Sequence, residues 1–398
     1  MNKPKLWTRD FIVVIVTTFF TFLSFYLLMT SMTVYTIEQF KASQGQAGLA
    51  STTFILGGLI SRVLAGRYMD RIGRKKLMYS TLALYLLATL LYYSVNGLAF
   101  LYMIRFVHGI AFGAATTALT TAAMDLIPRE RRGEGTSYFS LSTTLATAVG
   151  PFLGLFITQH YDYDVIFTAC SVFSVLSILV ALLGRIPEAE EVRPVNRGFK
   201  WNDFFEVKAV PVSSIIFLLG IAYSGILSYL NSFAIHIGLT EAASFFFVVY
   251  AVVVLLSRPF TGRLLDTRGD NVIMYPALVL FSIGLVLLGE SRHGLMLLLA
   301  GVIIGLGYGT VMSSAQAITA KVSPPHRIGL ATSTFFFSVD LGIGVGPLIV
   351  GILVPYTGYR GMYLTMAALV LGTVAIYHKV HGRREKQSPM GKGRYDWI

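Results

Sequence analysis

The chain has 398 residues, 55% of them hydrophobic and only 13% charged, with a net charge of +12 at pH 7. A soluble domain carries about a quarter charged residues, so a soluble enzyme or binding module is excluded. No basic soluble region exists to use the positive balance on nucleic acid. The single cysteine, Cys170, rules out a disulfide framework or a cysteine metal site.

The apolar residues come in runs, not in stripes. Phe11 to Ile37 carries no charge at all. A bilayer core of about 30 Å needs about 20 helical residues, so a permanent first helix is predicted over 11–36. The run is too long for a signal-peptide core and lacks a small-residue cleavage site. Further runs predict spans over 45–66, 77–95, 98–124, 136–158, 164–185, 211–236, 242–263, 272–289, 294–320, 329–353 and 360–378. Lipid offers backbone groups no partner, so the spans must be helices; the ten-residue alternating strands of a barrel are absent. An all-α integral membrane protein with twelve transmembrane helices follows.

Positive charge is sorted by side. One set of loops holds Lys3, Lys5, Arg9, the run Arg67 to Lys76, Arg129, Arg131, Arg132, the 186–210 linker, Arg263, Arg268, Lys321, Arg327 and the tail after Lys379. The opposite loops hold Lys41, Arg292 and Arg360. This asymmetry predicts a multi-pass protein of the cell membrane with both termini cytoplasmic, its basic face toward anionic lipid.

The chain also repeats itself. Ser61-Arg62-Val63-Leu64-Ala65-Gly66-Arg67-Tyr68-Met69-Asp70 returns 196 residues later as Ser257-Arg258-Pro259-Phe260-Thr261-Gly262-Arg263-Leu264-Leu265-Asp266. The same offset carries Arg131 onto Arg327 and Val149-Gly150-Pro151 onto Val345-Gly346-Pro347. Two parallel copies of a six-helix bundle are expected, over 1–186 and 211–381, with the transport site between the halves. A polar cytoplasmic linker, 187–210, joins them; Trp201, Phe204 and Phe205 share a helical face, so a short interfacial helix or an aromatic loop fits it. Residues 382–398 form a basic tail.

The loop Gly66-Arg67-Tyr68-Met69-Asp70-Arg71-Ile72-Gly73-Arg74-Lys75-Lys76 resembles the signature between helices two and three of the major facilitator superfamily, with Tyr68 where Leu is usual. With twelve spans, a central linker and a weaker second copy, the resemblance covers nearly the whole chain. Gly66 and Gly73 are expected to allow a tight turn. The resemblance implies a cytoplasmic gate: Asp70 faces the start of helix eleven near Gly329, Arg71 belongs to the same basic run, and Arg74 pairs with Asp125. In the second copy Asp266 remains, Asp270 stands for Arg74 and Lys321 for Asp125. The signs are swapped, so a pair could still form.

Helix four contains Arg105-Phe106-Val107-His108-Gly109, similar to the family's helix-four signature, with His108 where Gln is common. An intramembrane arginine must face protein or water. Arg105 is read as a substrate-anion contact or as control of a proton site, with a structural role on backbone carbonyls as the alternative. His108 could share its face or simply pack. Helix five contains Gly150-Pro151-Phe152-Leu153-Gly154, similar to the antiporter motif of the superfamily's proton-coupled exporters; a dry, kinked seam between the halves is inferred, against generic small-residue packing. Asp340 falls near mid-membrane in helix eleven. It is read as the proton carrier, with a substrate-cation contact or a structural partner for Arg105 as alternatives. By family resemblance, helices one, four, seven and ten line the cavity, and their candidates are Tyr26, Tyr35, Arg105, His108, Tyr223, Asn231, Tyr308 and Gln316. Gly301, Gly305 and Gly309 mark a packing face.

No phosphate-binding loop, zinc-protease motif or nucleophile elbow occurs. Transport is therefore expected to be secondary and non-enzymatic, without cofactor or metal, and the family resemblance implies a monomer exporting a small drug-like, amphiphilic or metabolite substrate against protons by rocker-switch alternating access. The alternatives are an importer or facilitator of a sugar or organic anion and, more remotely, a non-transporting membrane sensor.

Overall fold

Uncharged runs longer than a bilayer is thick leave the backbone one way to satisfy itself, and the chain takes it. The computed structural model describes residues 5–128, 131–185, 205–324 and 327–383; within its helices the side chains at 67, 70, 71, 132–134, 136, 137, 259, 263, 266, 328 and 329 lie outside that description. α1 (Arg9–Phe40) starts where Thr8 Oγ1 accepts the Phe11 N–H at 3.2 Å. α2 (Gln44–Ile72) opens with a reciprocal cap between Ser43 and Gln46. It stops at Gly73, whose φ of 90° is a conformation side chains avoid. α3 (Arg74–Leu90) runs into a 3₁₀ turn, Leu91–Ser94. There follow α4 (Leu98–Leu126), α5 (Arg132–His160), α6 (Tyr163–Leu182), α7 (Val210–Ile237), α8 (Thr240–Arg268) and α9 (Asp270–Gly289). α10 (Gly294–Ile304) continues through a π turn, Gly305–Gly309, into α11 (Thr310–Lys321). α12 is Ile328–Tyr377, ending in a second π turn, His378–Gly382.

Among the described residues, eleven helical stretches are long and apolar enough to cross a membrane. The last of them, Leu330–Gly382, is 53 residues long, about 80 Å of helix and too much for one crossing. Gly358, at φ 67°, breaks it in two. The result is the twelve crossings the apolar runs predict.

The chain divides into two compact units, Met1–Val195 with Leu227–Val248, and Asn196–Ile226 with Val249–Ile398. In the first, α1 packs along α5 and α6, α2 along α4, and α3 along α4 and α6. Its core has two centres, one around Phe11, Met78, Leu82 and Leu119 and one around Leu27, Tyr92, Ile104 and Phe167. In the second, α9 packs along α12 and α10. The sequence places the division within 187–210, yet the end of α7 and the start of α8 belong to the first unit. Polar bonds hold them there: Tyr229 Oη donates to the Gln44 carbonyl at 2.8 Å, Asn231 Nδ2 to Thr158 Oγ1 at 3.0 Å, and Gln159 Nε2 to the Thr240 carbonyl at 2.8 Å.

Hydroxyls inside the helices mostly bond back along their own helix, as Thr18 does to the Val14 carbonyl at 2.7 Å and Thr116 to Phe112 at 2.8 Å. This satisfies many of the hydroxyls a threonine-rich chain carries into lipid, though not all: Thr17, Thr33, Ser51 and Thr52 keep buried hydroxyls without a hydrogen-bond partner.

Candidate functional site

Arg105 is the largest fully buried side chain, 1% exposed. Its position on α4 points it at α2 and the 3₁₀ turn after α3. Nε donates to the Ala50 carbonyl at 3.0 Å, and Nη1 donates to Tyr92 Oη at 3.3 Å. The guanidinium carbon stands 4.4 Å from the centre of the Phe54 ring, a cation–π contact. Nη2 is buried without a hydrogen-bond partner. Among the described residues no carboxylate pairs with Arg105. His108, one turn along, is fully buried. Its Nδ1 lies 3.1 Å from Tyr92 Oη and its Nε2 3.3 Å from Thr89 Oγ1. Arg105 and His108 therefore share Tyr92, a residue the sequence reading did not single out. Tyr92 and Thr89 lie just before the short turn into α4, and nothing in their spacing marks them.

The α5 motif meets α1 of its own unit. A β-carbon at Gly150 would stand 2.6 Å from Tyr26 Cβ, and one at Gly154 would collide with Thr30 Oγ1. The expected seam between the halves is thus an α1–α5 contact inside the first unit, because the missing side chains face α1. The counterpart repeat packs in a similar way: Gly346, 196 residues after Gly150, abuts Ser224, and Gly342, one turn earlier, abuts Gly220 and the Phe217 carbonyl, all in the second unit; the position equivalent to Gly154 is Val350. Pro151 lies within α5 and Pro347 within α12.

At the loop signature, Gly73 makes the turn and donates its N–H to the Met69 carbonyl at 2.9 Å. Gly66 does not contribute; it lies inside α2, and a β-carbon there would meet nothing within 4 Å. Arg74 is ion-paired and hydrogen-bonded to Asp125. Asp70, Arg71 and Asp266 have side chains outside the described residues. In the second unit, Lys321 Nζ lies 3.1 Å from Asp270 Oδ1, and His381 Nε2 lies 2.9 Å from Asp270 Oδ2. Further along the chain, Arg327 pairs with the buried Glu206. Glu206 also takes its own N–H to Thr334 Oγ1 at 2.9 Å. Glu206 stands 196 residues after Asp10, as Arg327 does after Arg131; the offset could have revealed this pair.

The remaining candidates separate. Tyr223 and Tyr308 stack at 4.1 Å with ring planes 7° apart, next to Phe281. Tyr26 is half-buried against Phe25. Tyr35 sits in an aromatic core with Tyr163 and Phe167, ring centres 5.0 and 5.3 Å away. Asn231 lies in the first unit on Thr158, and Gln316 is exposed on α11. Asp340 is half-buried in α12, twelve residues after its start and so about 18 Å along it. A cavity of 260 Å³ in the second unit is lined by Phe205, Phe217, Thr334, Phe337 and Leu341, among others. Among the described residues no cluster of His, Cys, Asp or Glu could hold a metal.

Two six-helix repeats, a glycine turn after α2 and a buried arginine in α4 define a membrane carrier of a known kind. The sequence matches the profile of the Major Facilitator Superfamily over residues 14–289 and 241–398, and the chain belongs to that family. It is 24% identical over 379 residues to an uncharacterized MFS-type transporter of Methanocaldococcus jannaschii, covering 92% of this chain and 97% of the relative. It is 22% identical to the staphylopine export protein of Staphylococcus aureus, covering 81% and 84%. The fold matches that of a bacterial homologue of the human lysosomal transporter Spinster, crystallised inward-facing and unoccupied. The TM-score is 0.81 at 13% identity, covering 98% of this chain and 100% of that one.

Proposed function

We propose that this carrier exports a small amphiphilic compound in exchange for protons, as a monomer with both termini cytoplasmic, by rocker-switch alternating access. Asp340 takes up and releases the proton, and Arg105 is the cation that responds. The observation that most supports this is Arg105 itself: a buried guanidinium with no carboxylate partner among the described residues and one unspent N–H edge. A buried cation is expensive without an anion nearby, so its site favours a negative group that comes and goes. The helix-five motif and the resemblance to an export protein favour outward transport. The loop asymmetry supports the topology, and the Arg74–Asp125 pair suits a cytoplasmic gate.

The same lone cation favours a second reading, an importer or facilitator of an organic anion. Proteoliposomes under an imposed pH gradient separate the two, with a panel that includes staphylopine, other metallophores, lipophilic dyes and organic anions. Uptake or export that ignores the pH gradient would favour the facilitator. Asp340→Asn should abolish pH-driven pumping while leaving downhill exchange; pumping at the wild-type rate would remove Asp340 from the mechanism.

A further inference from the structure

His108 and Tyr92 form a chain of hydrogen bonds whose directions can be worked out one by one. Thr89 Oγ1 lies 2.8 Å from the Tyr85 carbonyl, which can only accept, so the threonine proton is spent there. Ser174 Oγ lies 3.5 Å from Thr89 Oγ1, but its own proton goes to the Cys170 carbonyl at 2.7 Å. Thr89 Oγ1 is therefore left as an acceptor, and the group opposite it, His108 Nε2 at 3.3 Å, must donate. At the other end Arg105 Nη1 can only donate, so Tyr92 Oη accepts from it. The tyrosine proton then has one acceptor in reach, His108 Nδ1 at 3.1 Å. The reverse assignment, with the proton on Nδ1, would leave both Nε2 and the tyrosine proton unspent in a site from which water is excluded. All four residues are at most 1% exposed.

We infer that His108 is a positioning residue: held as the Nε2–H tautomer, it accepts the Tyr92 O–H hydrogen bond at Nδ1, turns the Tyr92 oxygen toward Arg105 and so aims the guanidinium. With Nε on the Ala50 carbonyl and Nη1 on Tyr92, the guanidinium plane is fixed at two points and Nη2 is the edge left for a ligand. A side chain at 108 must supply one acceptor and one donor at opposite ends. Glutamine does so, with Oε1 for Tyr92 and Nε2 for Thr89; phenylalanine fills the space and does neither. The inference rests on reading Arg105 as the working cation.

The test needs no substrate. Full-length protein in bilayers is labelled with ¹⁵N in histidine and arginine, and His108→Gln identifies the His108 signal among the seven histidines. Expected is a proton on Nε2 and none on Nδ1. Tyr92→Phe and His108→Phe should each shift the Arg105 guanidinium resonance and speed its hydrogen exchange by about tenfold, the cost of one buried hydrogen bond. His108→Gln should leave that resonance near its original place. A proton on Nδ1, or an Arg105 signal indifferent to both Tyr92→Phe and His108→Phe, would overturn the relay. Should His108→Phe fail to fold, Tyr92→Phe carries the test, since it keeps the ring. Normal export by Arg105→Ala would instead overturn the transport reading, while the spectra still decide the relay.

Discussion

The two repeats solve one electrostatic problem with opposite signs. In the first, Arg74 pairs with Asp125; in the second, 196 residues on, Asp270 pairs with Lys321. Both pairs join the residue after a glycine of φ near 90°, Gly73 or Gly269, to the end of the next crossing but one. What the duplication keeps is complementarity at a place, not a residue type. The burial falls on opposite partners. Arg74 is 16% and Asp125 39% exposed, whereas Asp270 is 1% exposed and Lys321 48%. A carboxylate so enclosed needs more than one donor, and Asp270 has a second in His381. In the first pair the carboxylate stays partly in solvent, and its attraction is modest and screened; in the second, the enclosed carboxylate ties the start of α9 to the end of α11 through Lys321 and to the end of α12 through His381, helped by Asn271 Nδ2 donating to the Gly382 carbonyl at 2.9 Å.

The largest effect is expected where the burial is deepest. Lys321→Ala with His381→Ala strips Asp270 of both the ammonium and the imidazole and should cost about 3 kcal/mol, read as a lowered unfolding temperature of the purified protein. Arg74→Ala in the first repeat should cost no more than about 1 kcal/mol. Equal losses in the two would break the contrast. Next comes Arg327→Ala, which leaves Glu206 buried and should cost about 2 kcal/mol. It should also open the chain at Lys208 to trypsin, and unchanged cleavage would show that Phe205 against Phe337, 5.0 Å between ring centres, holds the segment alone. The smallest effect sharpens the comparison most. Arg74→Asp combined with Asp125→Lys gives the first repeat the polarity of the second. It should stay within about 1 kcal/mol of the parent, while Asp125→Lys alone sets two cations together and should impair gating in an accessibility assay. A double swap no better than the single one would mean that identity matters and sign does not.

The crossings were legible because an apolar run has one fate in lipid, and the offset made the repeat visible without any fold. The joins were harder to see. No Gly-Pro cluster marks the π turn at Gly305–Gly309; three glycines there meet Tyr250, Phe281 and Val254 of α8 and α9, so the packing face was readable and the wide turn was not. The candidate site was legible only as single residues. Arg105 stood out because charge is rare in a span, but Tyr92 and Thr89 are ordinary residues whose importance comes from facing His108 across helices. Tyr35 shows the opposite failure: an aromatic near a span's end looks the same in sequence whether it lines a cavity or fills a core. Gly150 and Gly154 announced close packing without naming α1 as the helix they pack on.

Gly358 joins the two limbs of α12 as a single residue. Its counterpart in the first repeat is Asp162, which with Tyr161 forms an extended two-residue link between α5 and α6, φ −142° and −70°. The second repeat has no such slack. One left-handed residue sets the angle between the limb that carries Asp340 and the limb that ends at His381, and any other residue there would be strained by roughly 1–2 kcal/mol. Glycine's conformational freedom makes that one residue the place where the two limbs can change angle. The change of direction in this repeat is thus concentrated at a single pivot, where the first repeat spreads it over two residues.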